Sequence, residues 1–181
     1  MSNVEAARPE DDIVARREWE GPTLANGTLT PELAAFCQKG VAVILATCAG
    51  GRPIAGRGFA SRVDENGTVR LLLRRTGHAA FIAALNNGAP IAATFTEPTQ
   101  HRSIQIKGKF ARETAVTIAD GAALAVQSLA FRDRLVAIKY TQLMSDGYCF
   151  AEPEDILAFE FTPDEAFAQT PGPNAGTALT P

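Results

Sequence analysis

Residues 41–111 constrain this chain more than any other stretch, because strands, turns and a helix can be read there with little ambiguity. Val41 to Cys48 is β-branched and apolar and reads as a buried strand, with Cys48 in the core. Residues 49–53 form a turn, and Ile54 to Val63 returns as the second strand. Asp64-Glu65-Asn66-Gly67 is a strong hairpin signal, since Asn-Gly accepts positive φ angles at little cost. Thr68 to Arg74 is the third strand. Thr76 to Leu85 reads as a short helix, with Ala79, Ile82, Ala83 and Leu85 at near-helical spacing and Asn87-Gly88 as its stop. Pro90 to Thr96 and Ser103 to Arg112 supply strands four and five, and Ile156 to Phe161 closes the set.

The flanks are helical or irregular. Thr30-Pro31-Glu32 opens a helix with a hydroxyl N-cap, a first-turn proline and an acidic residue; Gly40 ends it. Thr117 to Tyr140 is a longer helical stretch, with Leu124, Leu129, Phe131, Leu135 and Ile138 as core contacts. The fold class is therefore mainly β with flanking α-helices, a closed or half-closed antiparallel barrel. At 181 residues the chain is long enough for one well-buried domain, assigned to 29–170. Residues 1–28 read as a charged arm whose first ten residues are mobile and whose Trp19 packs somewhere. Residues 171–181 read as an irregular Pro/Gly-rich tail packed over the surface near the ligand groove.

A formal net charge of −3 offers no general attraction to nucleic acid or to an anionic membrane. No apolar run approaches the roughly 20 residues needed to span a bilayer, and the start has no signal-peptide pattern, so a cytoplasmic location is expected. Cys37, Cys48 and Cys149 lack zinc-ligand spacing, and no metal site is expected.

Chemistry concentrates at Arg74-Arg75-Thr76-Gly77-His78, a strand-to-helix junction. Backbone N–H groups and the positive helix end collect there, and two guanidiniums, a hydroxyl and an imidazole complete a cradle for phosphate. The alternative is that Thr76 only caps the helix and both arginines are solvated. Arg57 and Ser61 lie four residues apart on one strand and so are expected on one face. Arg102 and Ser103, opening the fifth strand, are further candidates. Lys107 and Lys109 share a face and read as a solvated edge.

Three fragments, R-G-F-A-S-R-V on strand two, R-R-T-G-H-A-A-F-I at the junction and Q-I-K-G-K on strand five, together with this order of elements, resemble one family. It is the pyridoxamine 5′-phosphate oxidase-like, FMN-binding split-barrel superfamily; the likeness runs from about Thr30 to Gly176. The resemblance implies a six-stranded antiparallel split β-barrel and a homodimer with FMN in grooves between subunits. It places Arg57, Gly58, Phe59, Ala60 and Ser61 against the flavin ring or phosphate. Arg75, Thr76 and His78, with Arg74 in support, fall at the phosphate, and Ser103 with its neighbour Arg102 at the start of strand five. An oxidoreductase acting on a small-molecule substrate or electron donor follows, with the deazaflavin F420 as the alternative cofactor and a non-enzymatic flavin or haem carrier as the alternative class. The oxidase's Ser-Arg-Lys helix start is replaced by Thr76-Gly77-His78, and its C-terminal Arg-x-His is absent, so oxidation of pyridoxamine phosphate itself is not expected.

Overall fold

The computed structural model describes residues 6–179. Eight antiparallel strands form one sheet: β1 Ala42–Ala49, β2 Arg52–Val63, β3 Val69–Arg74, β4 Ile91–Thr96, β5 Ser103–Gly108, β6 Arg112–Thr114, β7 Ile156–Phe161 and β8 Glu165–Ala168. Their order is β6-β7-β3-β2-β1-β4-β5-β8. The sheet thus has eight strands where six were expected. The expected fifth strand stops at Gly108, and residues 112–114 pair separately with β7.

Two short links show how far the sheet curls. β7 and β8 lie near opposite ends of the order, yet only residues 162–164 separate them in sequence. β5 and β6 are likewise separated by residues 109–111 alone. A three-residue link spans roughly 10 Å, so the two ends of the sheet must face each other. A Cβ added to Gly108 of β5 would lie 2.5 Å from the Phe161 ring of β7, which shows how closely they meet.

Inside the curl lies the core. Val43, Leu45, Leu71, Leu73, Phe95, Ile104, Ile106 and Phe159 point inward, and Phe36 and Phe81 add to the same cluster from helices. β1 illustrates the alternation: Val43, Leu45 and Thr47 are buried, while Ile44, Ala46 and Cys48 face out. Cys48 is therefore exposed, not core. An all-apolar strand hid a period-two burial pattern.

The helices are α1 Pro9–Arg17, α2 Pro31–Cys37, α3 Ala79–Asn86, α4 Ile118–Ala137 and α5 Gln142–Cys149. Thr30 caps α2 by accepting the Leu33 N–H, as its sequence predicts. Part of the supposed arm is helix α1, beginning at Pro9 inside the stretch expected to be mobile; residues 1–5 of that expectation lie outside the described residues. On α4, Phe131 and Leu135 are buried, but Leu129 is exposed, as is Ile138 at the C-cap.

The tail is tied down. Leu179 is fully buried, its N–H bonds to the Ala166 carbonyl at 2.7 Å, and its carbonyl accepts from Arg16 Nε of α1 at 2.7 Å. The two chain ends interlock on β8. No helix is long and apolar enough to cross a membrane, among the described residues.

Candidate functional site

β2 carries a bulge. Gly58 pairs with Leu73, but Ala60 pairs with Leu72, so Phe59 is an extra residue on its strand. One inserted residue inverts the alternation beyond it. Arg57, opposite the outward Ile44, faces out, whereas Ser61, opposite Leu71, faces the core. The expectation that Arg57 and Ser61 share a face is therefore overturned. Ser61 is fully buried; its hydroxyl donates to the Cys37 carbonyl at 2.7 Å.

The bulge is held by a side chain. β1 pairs with β2 only as far as Gly58, which leaves the later edge of β2 open. Gln127 of α4 supplies that edge, accepting the Ser61 N–H at 3.0 Å and donating to the Ser61 carbonyl at 2.7 Å. An amide side chain completes the ladder. Gly58 leaves no room for another residue there, since a Cβ would lie 2.7 Å from Val43 Cγ1.

On the outer side, aromatic rings and cations converge. The Arg57 guanidinium lies 4.3 Å from the Phe59 ring centroid and 3.6 Å from that of Tyr148 on α5. Arg74, ending β3, places its guanidinium 5.2 Å from the same Phe59 ring. Two cations thus share one aromatic ring. Neither forms an ion pair among the described residues, and Arg74 Nε is buried without a hydrogen-bond partner. Burial presses the Arg57 pKa below its ordinary value, opposed by Tyr148 and Cys149 and assisted by the like charge of Arg74. Arginine stays charged regardless, so this is a partly desolvated cation pair without an ion-pair partner among the described residues.

His78 joins the group by positioning it. Its Nε2 accepts the Arg57 N–H at 3.0 Å, and Nδ1 lies 3.2 Å from the Thr76 carbonyl. This network assigns the neutral Nδ1–H tautomer, with both ring nitrogens engaged. His78 is also the N-cap position of α3, so Thr76 neither caps nor begins that helix as expected. The Thr76 N–H and hydroxyl instead both donate to Asp155 Oδ1 at 2.9 Å, while the Arg75 N–H donates to the Asp155 carbonyl at 2.7 Å. These bonds, led by the Thr76 N–H, hold the Asp155 carboxyl below its usual range.

The structure therefore gathers Arg57, Phe59, Arg74, Thr76 and His78, with Gly58 and Ala60 as the backbone of the bulge. It leaves Arg75 exposed and ties three others elsewhere. Arg102 pairs with Asp12 of α1 at 2.6 Å and Glu32 of α2 at 2.7 Å, and lies over Phe36. Ser103 is buried, its hydroxyl 2.8 Å from Thr96 Oγ1 and its N–H donating to Thr170. Ser61 is used on the buried side of the sheet. Tyr148, Gln127 and Asp155 are the residues that sequence reasoning missed. Asp155 has no local signal: only the pairing of Arg74 with Ile156 brings it beside Arg75 and Thr76.

A separate cleft of about 620 Å³ at β1, β4 and β5 holds Lys107 and Lys109 but none of the converging group. Lys109 lies 3.5 Å from Asp164, and Lys107 lies over the Phe167 ring. No cluster of three or more His, Cys, Asp or Glu suited to a metal occurs among the described residues.

No protein family matches the chain by sequence pattern. No curated protein matches it. In shape it resembles several solved structures of the pyridoxamine 5′-phosphate oxidase-like kind. A candidate pyridoxamine 5′-phosphate oxidase from Lactobacillus delbrueckii is 17% identical over 78% of this chain and 95% of that one, with a TM-score of 0.49. A Clostridium acetobutylicum protein of the pyridoxinephosphate oxidase family, related to general stress protein 26, is 12% identical over 82% and 92%, at 0.47. An F420 reductase is 15% identical over 73% and 93%, at 0.46.

Proposed function

We propose that this chain is a flavin-binding oxidoreductase that holds FMN as a homodimer in a split-barrel arrangement. The observation that carries the reading is the Arg57–Arg74 pair on Phe59, two half-buried cations with no ion-pair contact to a carboxylate among the described residues. Neither guanidinium has an ion-pair partner among the described residues, and charge-assisted contacts to phosphate suit them. The orphaned Arg74 Nε fits the same need. Bound flavin supplies the electron and hydride transfer; the chain supplies binding, orientation and charge.

Within this reading Arg74, not Arg75, is the principal phosphate ligand with Arg57, because Arg74 alone of the two shares the Phe59 ring. Tyr148, which is exposed, provides ring surface beside it and is braced by Phe131 at 5.9 Å between ring centroids. The outward, exposed Ile44 and Phe150 supply apolar surface for a second copy to cover. The deazaflavin F420 is the alternative occupant.

The test is cofactor affinity measured in pairs. Arg74→Ala and Arg57→Ala should each weaken FMN binding by roughly ten- to a hundredfold, since a charge-assisted contact contributes about 1.5–3 kcal/mol. Riboflavin, which has no phosphate, should lose much less, and Arg75→Ala should change neither strongly. Equal losses for both flavins would refute the phosphate assignment. An absorption spectrum of purified protein with a deazaflavin band would replace FMN by F420.

A further inference from the structure

Thr76 offers an N–H and a hydroxyl beside a cationic pair, which is what a phosphate oxygen seeks. Both donors are already taken by one oxygen, Asp155 Oδ1, at 2.9 Å. The Asp155 backbone is itself anchored, its carbonyl accepting the Arg75 N–H at 2.7 Å. Its place is fixed further by strand register, because Ile156 next to it pairs with Arg74. The carboxylate lies in the field of Arg74 and Arg75, and both favour its charged form. It thus sits as an anion where a ligand's anion would sit.

We propose that Asp155 is a specificity-determining residue of the groove: it holds the Thr76 donors and so weakens binding of ligands that carry a phosphate monoester there. The proposal rests on the reading of this groove as a phosphorylated-flavin site. A dianionic phosphate drawn to Arg57 and Arg74 meets a fixed carboxylate next to its seat. It must either forgo Thr76 or displace Asp155. Two anions drawn to the same donors oppose each other, and the two Thr76 donors cannot serve both fully. A ligand without charge at that end meets no such penalty. FMN is then held less tightly than the cation pair alone would allow, which suits a flavin that exchanges rather than one retained permanently.

The experiment compares wild type, Asp155→Ala and Asp155→Asn for FMN and riboflavin affinity by flavin fluorescence titration. In parallel, inorganic phosphate is titrated against the Thr76 amide resonance. Asp155→Ala should bind FMN on the order of tenfold more tightly while riboflavin affinity is unchanged. Asp155→Asn keeps an acceptor for the Thr76 N–H and should give a smaller gain, which also serves if the alanine variant does not fold. The Thr76 amide should respond to phosphate in the substituted protein and not in wild type. FMN affinity that is unchanged or weakened relative to riboflavin would overturn the proposal. If no form binds either flavin, the flavin reading fails while the phosphate titration still decides: a Thr76 response gained on substitution sustains the role of Asp155, and none overturns it.

Discussion

Asp120 should be the most sensitive polar position in the fold. Its side chain is fully buried at the start of α4 and accepts from Arg70 Nε at 2.8 Å, Arg70 Nη2 at 2.6 Å and Arg62 Nη1 at 3.1 Å. It also accepts the Thr117 N–H at 2.7 Å and the Thr117 hydroxyl at 2.9 Å. One carboxylate thereby joins β2, β3 and the N-terminus of α4. Asp120→Ala leaves the Arg70 guanidinium, whose side chain is only 9% exposed, short of its main partner. Removing one member of a buried ion pair costs about 3–5 kcal/mol. Arg70 keeps Glu160 at 2.6 Å, Thr114 and the Ala115 carbonyl, so the low end, about 3 kcal/mol, is expected. Equilibrium urea denaturation followed by circular dichroism measures it. Burial raises the Asp120 pKa, but the bonds from Arg70, Thr117 and Arg62 outweigh it and hold the carboxyl far below its ordinary value. A carboxyl depressed in the folded state stabilises above its unfolded pKa, near 4, and loses that contribution as pH falls toward the folded value. The gap between wild type and Asp120→Ala should therefore be full at pH 7 and shrink steadily on acidification below about pH 4. A gap under about 1 kcal/mol at pH 7, or one independent of pH, would refute the reasoning.

Two further perturbations test the packing. Gly40→Ala combines a left-handed backbone, φ +69°, with a Cβ 2.5 Å from the Gln127 carbonyl. It should cost about 1–2 kcal/mol for the backbone and about 1–3 more for the clash, whereas Gly51→Ala, at φ +75° in open space, should lose only the first. The comparison is read from urea midpoints, and equal losses would count against α4 resting on Gly40. Leu179→Ala should cost about 2–5 kcal/mol, as for a core leucine, and expose a protease site in α1; a loss below 1 kcal/mol would show that the tail is not part of the core.

Local pattern revealed much, though not helix α1, whose proline start and charged ends lie within the stretch read as an arm. The order of β1 to β5, the α2 cap at Thr30 and the Asn66-Gly67 turn rest on neighbours in sequence, where propensity and turn chemistry act directly. The cationic junction at Arg74 to His78 was visible for the same reason, as a run of donors where a strand meets a helix. The short helix α5 escaped notice because its eight residues fall short of the stretch over which a helical period can be read.

Which side of the sheet each residue faces was not legible. The bulge at Phe59 inverts β2 beyond that point, and it is maintained by Gln127, sixty-six residues from Ser61 in sequence. Charge pairing was equally hidden: Arg57, Arg74 and Arg102 look alike in the sequence, yet Arg102 is neutralised by Asp12 and Glu32 while the other two share an aromatic ring. The amino-acid sequence by itself determined strands β1 to β5 and β7, the turns between them and the charged groups, because those depend on interactions a few residues long. Only the tertiary structure decided which cations form ion pairs and which carboxylate sits on Thr76, because strand register and the curl of the sheet bring distant residues within hydrogen-bond reach.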